Sequence, residues 1–497
     1  MNRKIVLFFL CILVGMIAGC GSQKTQAGTH TVEHPSKEDV VQNDKPQIHN
    51  DKSQMLDSPE FLYDYVEMKP AVIVDICGYE IGSDKEAVVT GKTLPTTFDV
   101  CDCESGDVVF HGMVRQIACT EDDEIITGIC TFTDFDTEGK YYIWTDTCGK
   151  SYSFEIKEDI YSNLTKQAFA KLHSLRNTET EPVAMENDSS IMLKVNGGWN
   201  TAPDGRRDVT MGCLTALDLM MAYEYHPKAF SDDFGIEESG NKIPDILDEI
   251  RFETDWLMSM MNVKTGGVYD SVSIFGEDTD SPVKVIVKET TKATAYACTA
   301  LARFSYIYKK FDSDYCNKCM NAAGKAWKCL AANKDIVAPE QMYRAAVEMY
   351  RATGYGVYKS VIVDFNKANA GNPYSGRITM DAALSYLDTP RNIEVDHCTK
   401  LMSEFMSETE AKANISRRSR YMVESADTSD MDLLRNAVEF VMVDYIVASK
   451  EYATIEEDYL HYLCGRNPNA AICDAFADNP DAYAQFVLVA GKLMTDR

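Results

Sequence analysis

From Ile160 to the C-terminus the chain repeats one pattern. Segments such as "CLTALDLMMAYEYH", "TTKATAYACTALARFSYIYKKF", "PEQMYRAAVEMYRATG" and "DMDLLRNAVEFVMVDYIVAS" carry apolar residues at helical period, begin at Pro, Asp, Ser or Thr, and have no strand of length between them. One amphipathic helix has to bury one face, and a long succession of similar helices does so by packing into a helical barrel or solenoid rather than a small bundle. Before Ile160 the pattern is different. Between about Ala71 and Lys157 seven short runs alternate in polarity, among them "EAVVTG", "TTFDVCD" and "GKYYIWTD", with turn residues between them. That spacing predicts a β-sandwich of immunoglobulin type. Trp144, at strand period in the sixth run, is expected either in its core, as residues at that period more often are, or stacking on a sugar. Residues 61–160 and 161–497 are therefore expected as two domains, within the range that a 497-residue chain can bury.

The first sixty residues belong to neither. "MNRKIVLFFLCILVGMIAGC" has basic residues at Arg3 and Lys4, an apolar run from Ile5 to Met16, and small residues before Cys20, the layout of a secretion signal. Its ending resembles a bacterial lipobox. Residues 1–19 are then a leader, Cys20 carries lipid, and the mature protein is extracellular and anchored to a bacterial cell membrane. Residues 20–60 hold almost no large apolar side chains and read as a flexible tether. The net charge of −28 makes nucleic acid and anionic lipid surfaces poor partners, whereas a neutral polysaccharide meets no electrostatic penalty. Of the sixteen cysteines, Cys101/Cys103 and Cys316/Cys319 are closely spaced without a second ligand pair, so they are expected as buried or paired thiols and no zinc is assigned.

Five blocks in order carry a resemblance: "FGIEESGNKIPDILDEIRFETDWLMSMM" from Phe234, "GGVYDSV" from Gly266, "TTKATAYACTALARFS" from Thr290, "AAVEMYRATG" from Ala345 and "YLCGRNPNA" from Tyr462. Together they resemble the glycoside hydrolase family 9 cellulases, many of which carry an immunoglobulin-like domain first, and "DICGYEIGSDKEAVV" resembles the start of that domain. The resemblance covers about Val72 to the C-terminus. It implies an immunoglobulin-like β-sandwich followed by an all-α (α/α)6 barrel, with a β-glucan cleft across one end of the barrel.

The resemblance also implies the chemistry. Family members invert with two carboxyl groups, a base that activates water and an acid that protonates the leaving oxygen, roughly 6.5–9.5 Å apart. The base loop commonly reads Gly-Gly-Trp-Tyr-Asp-Ala-Gly-Asp. In "GGWNTAPDG", Gly197 to Gly205, Thr201 takes the base position and Asp204 that of the second carboxylate, with Trp199, Asn200 and Thr201 as candidate sugar contacts, Trp199 equally as packing of the barrel mouth. Asp204 is either a substitute base or a loop-stabilising carboxylate. The family's acid lies in an Asn-Glu-Val-Ala motif preceded by a histidine-rich segment; here no histidine follows His461 and no glutamate follows Glu457. Asp478 and Asp481 stand near the acid position, where they serve as acids on a shorter side chain or cap the last helix. Arg206 and Arg207 replace small and aromatic family residues, and Asp245, Asp248 and Glu249 read as helix-start acids. No cofactor is expected; calcium, held by some family members, has no loop of ligand spacing here and is left open. Three functions follow: a β-glucan binder that no longer cuts, a hydrolase with Asp204 as base, or a structural surface protein with a vestigial cleft.

Overall fold

The computed structural model describes residues 69–118, 124–276, 282–370, 376–473 and 479–495. The leader, Cys20 and the tether lie outside them. Nine strands come first: β1 (Val72–Ile73), β2 (Tyr79–Glu80), β3 (Glu86–Gly91), β4 (Thr97–Asp102), β5 (Val108–Ile117), β6 (Ile126–Thr131), β7 (Gly139–Thr145), β8 (Gly149–Lys150) and β9 (Phe154–Lys157). They pair in the order β1-β3-β6-β5-β4-β7-β9-β2, with β8 on β7. The long β5 pairs β4 through Val108–Met113 and β6 through Val114–Ile117, so it passes from one half of the sandwich to the other. Val72, Tyr79, Val89, Phe98, Val100, Ile143, Phe154 and Ile156 meet in the core between the halves. The seven expected runs fall on β1, β3, β4, β5, β6, β7 and β9, and β2 and β8 are two-residue additions that were not expected as separate strands. Of the two readings of Trp144 the core one is corrected: Tyr141, Ile143 and Thr145 take the inward side of β7, and Trp144 is 44% exposed on the other.

The helices are α1 (Ile160–Ser174), α2 (Val209–Tyr225), α3 (Asp245–Ser259), α4 (Thr291–Ile307), α5 (Ser313–Ala332), α6 (Pro339–Thr353), α7 (Gly356–Ala368), α8 (Arg377–Leu387), α9 (Asp396–Ser416), α10 (Asp430–Val447), α11 (Ala453–Leu463) and α12 (Pro480–Thr495). The even-numbered helices touch in turn, α2 to α4 to α6 to α8 to α10 to α12, and α12 returns to α2. That closed inner ring, with the odd-numbered helices packed around it, is an (α/α)6 barrel. The difference is written in the burial patterns. Inner α2 buries residues on every side, whereas outer α5 buries Tyr315, Cys316, Cys319, Ala323, Ala326, Trp327 and Leu330 at spacings of three and four. Among the described residues no helix is long and apolar enough to cross a membrane.

Ion pairs join the inner helices near their C-terminal ends. Arg303 of α4 donates to Glu224 of α2 at 2.9 Å and to Asp381 of α8 at 2.6 Å, and Arg351 of α6 donates to Glu224 at 2.5 Å and to Ser385 at 2.9 Å. Burial pushes the Glu224 carboxyl up, but the Arg351 and Arg303 charges outweigh it and hold it below the usual glutamate range. Shorter strands sit between the helices: β10 (Val183–Met185), β11 (Asp188–Leu193), β12 (Arg207–Asp208), β13 (Val268–Tyr269), β14 (Ser271–Phe275), β15 (Val283–Ile286) and β16 (Glu289–Thr290). The sheet β11-β10-β15-β14-β12 ends on the strand that leads from the Gly197–Gly205 loop into α2.

Candidate active site

The loop is held from below by α3. Gly197 and Gly198 have φ of +89° and +79°, in the left-handed region, and a Cβ on Gly198 would lie 2.4 Å from the Trp256 ring. This close approach turns Trp199 inward. Its backbone N–H donates to Glu253 at 3.0 Å, its indole N–H donates to Glu249 at 2.6 Å, and the residue is 1% exposed. Asn200 accepts from the Asn177 side chain at 2.9 Å, and its N–H donates to the Leu175 carbonyl at 2.8 Å. Trp199 thus packs the barrel mouth and offers no ring face to a sugar in this arrangement.

Thr201 and Asp204 are both engaged within the loop. The Thr201 hydroxyl donates to the Arg206 carbonyl at 3.2 Å and accepts from the Asp208 N–H at 3.2 Å. One Asp204 oxygen accepts from the Arg206 N–H at 2.9 Å, and the other pairs with its guanidinium at 3.2 Å. The loop therefore holds one carboxylate, folded back onto an arginine. Asp208 then caps α2 by accepting from the Met211 N–H at 2.8 Å.

Asp481 lies in the first turn of α12, which packs on α2. It accepts from Gln485 at 3.0 Å, and its other oxygen has no hydrogen-bond partner among the described residues. Burial first, then the neighbouring Asp218 charge, push its carboxyl up to about 6 against the pull of Arg377, which is bound to Asp218 at 2.6 Å. The cap of α12 comes instead from Asn479, whose side chain accepts from the N–H groups of Asp481 and Ala482. Asp478 lies outside the described residues.

Sequence reasoning missed the layer beneath the loop. Glu249, expected as a helix-start acid, is fully buried and gathers His173 at 2.8 Å, Arg176 at 3.0 Å and the Trp199 indole. One helical turn on, Glu253 is also fully buried. Their i, i+4 spacing on the face of α3 that turns inward was the available signal. The hydrogen bond that His173 donates to Glu249 raises it above the ordinary histidine range. Arg207, 1% exposed, donates to the Val195 carbonyl at 2.7 Å and to the Gly197 carbonyl, which fixes the start of the loop.

Burial pushes Glu253 up to about 8 despite the Trp199 N–H. Between the ordinary value of 4.5 and about 8 the folded state keeps a proton that the unfolded state has lost, so stability falls as pH rises through that window. Glu253→Gln has no such titration. Between about pH 5 and about pH 8 the urea midpoint is expected to fall further in the wild type than in the variant; parallel midpoints contradict this.

Among the described residues, Asp75, Cys77 and Cys464 gather metal-type ligand atoms within 4.8 Å of one another. Two sulfurs do not suit calcium, which takes oxygen ligands.

Residues 156–472 match the family model "Glycosyl hydrolase family 9", and residues 67–150 match "Cellulase N-terminal ig-like domain". The longer match ends before Asp478 and Asp481. Endoglucanase D of Acetivibrio thermocellus is 27% identical over 285 residues, which cover 52% of this chain and 45% of that protein. The chain thus matches less than half the length of that relative. A cellodextrinase of Butyrivibrio fibrisolvens is 24% identical over 457 residues, covering 80% of this chain and 83% of its own. The solved structure of a metagenome-derived glycoside hydrolase family 9 endoglucanase superposes with a TM-score of 0.75 at 21% identity, over 85% of this chain and 99% of that one, a likeness of fold.

Proposed function

Because the chain belongs to glycosyl hydrolase family 9, we propose that it is a cell-surface protein that binds β-glucan without cutting it at the rate of a two-carboxylate enzyme. The observation that carries this reading is the closed hydrogen bonding of the loop: the Thr201 hydroxyl is used twice by its own turn, and Asp204 is paired to Arg206. A threonine hydroxyl is no base near neutral pH, and both oxygens of the loop's one carboxylate are already taken up by Arg206. Relatives named endoglucanase and cellodextrinase support a β-glucan as the ligand. The lipobox-like ending before Cys20 supports a lipid anchor on the extracellular side of a bacterial membrane.

With Trp199 turned inward, an exposed aromatic among the described residues near the loop is Phe275, 49% exposed at the end of β14. Val272 on the same strand pairs with Arg207, three residues or roughly 10 Å away. Binding to soluble β-glucans, measured by affinity electrophoresis, is expected in the wild type and weakened about tenfold in Phe275→Ala. No retardation by any β-glucan contradicts the reading.

One observation favours the second reading, an altered hydrolase. A carboxyl raised to about 6, as at Asp481, is protonated in mildly acidic solution and able to act as an acid. In that case hydrolysis falls as pH rises above about 6 and is lost in Asp481→Asn.

A further inference from the structure

The contact between sandwich and barrel brings two thiols together. Cys77 stands just before β2 in the sandwich, and Cys464 closes α11 of the barrel. Their sulfurs and an Asp75 oxygen all lie within 4.8 Å of one another. The chain is pinned on both sides of the pair. The Ile76 N–H donates to the Cys464 carbonyl at 3.0 Å, Asp75 bonds His461 Nδ1 at 2.6 Å, and the His461 ring lies 4.8 Å from that of Tyr79. Gly465 follows at φ +122°, where a Cβ would come within 2.9 Å of Ile76. The sulfurs are thus held together by contacts that do not depend on them.

A metal explains this cluster less well than a bond between the sulfurs. Both Asp75 oxygens are already used, one by the N–H groups of Cys77 at 2.7 Å and Gly78 at 3.1 Å, the other by His461. An exposure difference gives the pair an order of reaction: Cys77 is half-buried, and Cys464 is 2% exposed.

We propose that Cys77 and Cys464 form a disulfide that fastens the sandwich to the barrel when the protein meets a small-molecule disulfide such as oxidised glutathione. The Cys77 thiolate attacks one sulfur of the external disulfide, forms a mixed disulfide and expels a thiolate. Cys464, its proton lost to solvent, attacks the Cys77 sulfur, forms the intramolecular bond and expels the second thiolate. The cysteine pair gives up two electrons, and the external disulfide leaves as two thiols. The bond closes nearly the whole folded chain into a loop, so it restricts the unfolded state strongly. The inference does not depend on whether the barrel cuts glucan.

The test is a disulfide map. The full chain is incubated with oxidised glutathione, denatured, alkylated with iodoacetamide and digested without reductant. A peptide pair joining Cys77 to Cys464, lighter by two hydrogens than the separate peptides and split by reductant, is the expected result. Alkylation of both cysteines overturns the proposal. So does a link from Cys464 to Cys473, whose N–H bonds the Leu463 carbonyl nearby, or a stoichiometric zinc ion that protects both thiols until chelated. Reduction is further expected to lower the thermal midpoint of the oxidised wild type by about 5 °C and to leave Cys77→Ala unchanged; an equal drop in both argues against the staple. If the variant fails to fold, the map alone decides.

Discussion

Glu224→Ala is expected to lower stability by about 3–5 kcal/mol, the cost of leaving a buried charge without its partner. Glu224 lies between the guanidinium groups of Arg303 and Arg351, which are 2% and 6% exposed. After its removal Arg303 keeps Asp381, while Arg351 keeps Ser385 and the more distant Glu348 at 3.8 Å. Two buried cations then lose the carboxylate they shared. Urea unfolding measures the loss. Arg351→Met in the same background is expected to recover part of it, because the excess positive charge leaves with the arginine. A loss below about 1 kcal/mol would mean that water or rearranged side chains already screen the pair.

Gly198→Ala carries the second large effect. At φ +79° any other L-residue is strained by about 1–2 kcal/mol, and the added carbon would lie 2.4 Å from the Trp256 ring. Overpacking of that kind costs a further 1–3 kcal/mol or so. Gly205→Ala is the internal control. It has a similar φ of +83°, but its Cβ would meet only the Lys284 amine, at 3.7 Å. The difference between the two variants in urea midpoint isolates the ring clash. The Gly198 variant is expected to lose more by at least about 1 kcal/mol; equal losses would show that Trp256 moves aside freely.

The parts legible in the sequence were those that a local period records. The inner helices are apolar on every side and the outer ones on one, and the sandwich strands alternate, so both layers could be read before any contact was known. The five ordered blocks added the closure of the ring. The buried charge cluster was not legible: Arg303 stands in an otherwise helical, apolar "TALARFSY", and its partner Glu224 reaches it only because α2 and α4 become neighbours in a closed ring. Two tryptophans were left open by sequence. The Gly-Gly-Trp turn does not reveal that Glu249 will take the Trp199 indole and Glu253 its backbone N–H, and strand period alone does not say which side of β7 meets the core. Thr201 and Asp204 were placed in one loop by sequence, but the closing of that loop by Arg206 required the geometry.

The account stands or falls on whether this loop still cuts. The most direct measurement is reducing-end release from a panel of β-glucans by the purified chain, beside Asp204→Asn and over long incubation. The account predicts no release above that of the variant, together with retained binding. Release by the wild type that disappears in Asp204→Asn would contradict it, and would make Asp204 the base of a rebuilt active site.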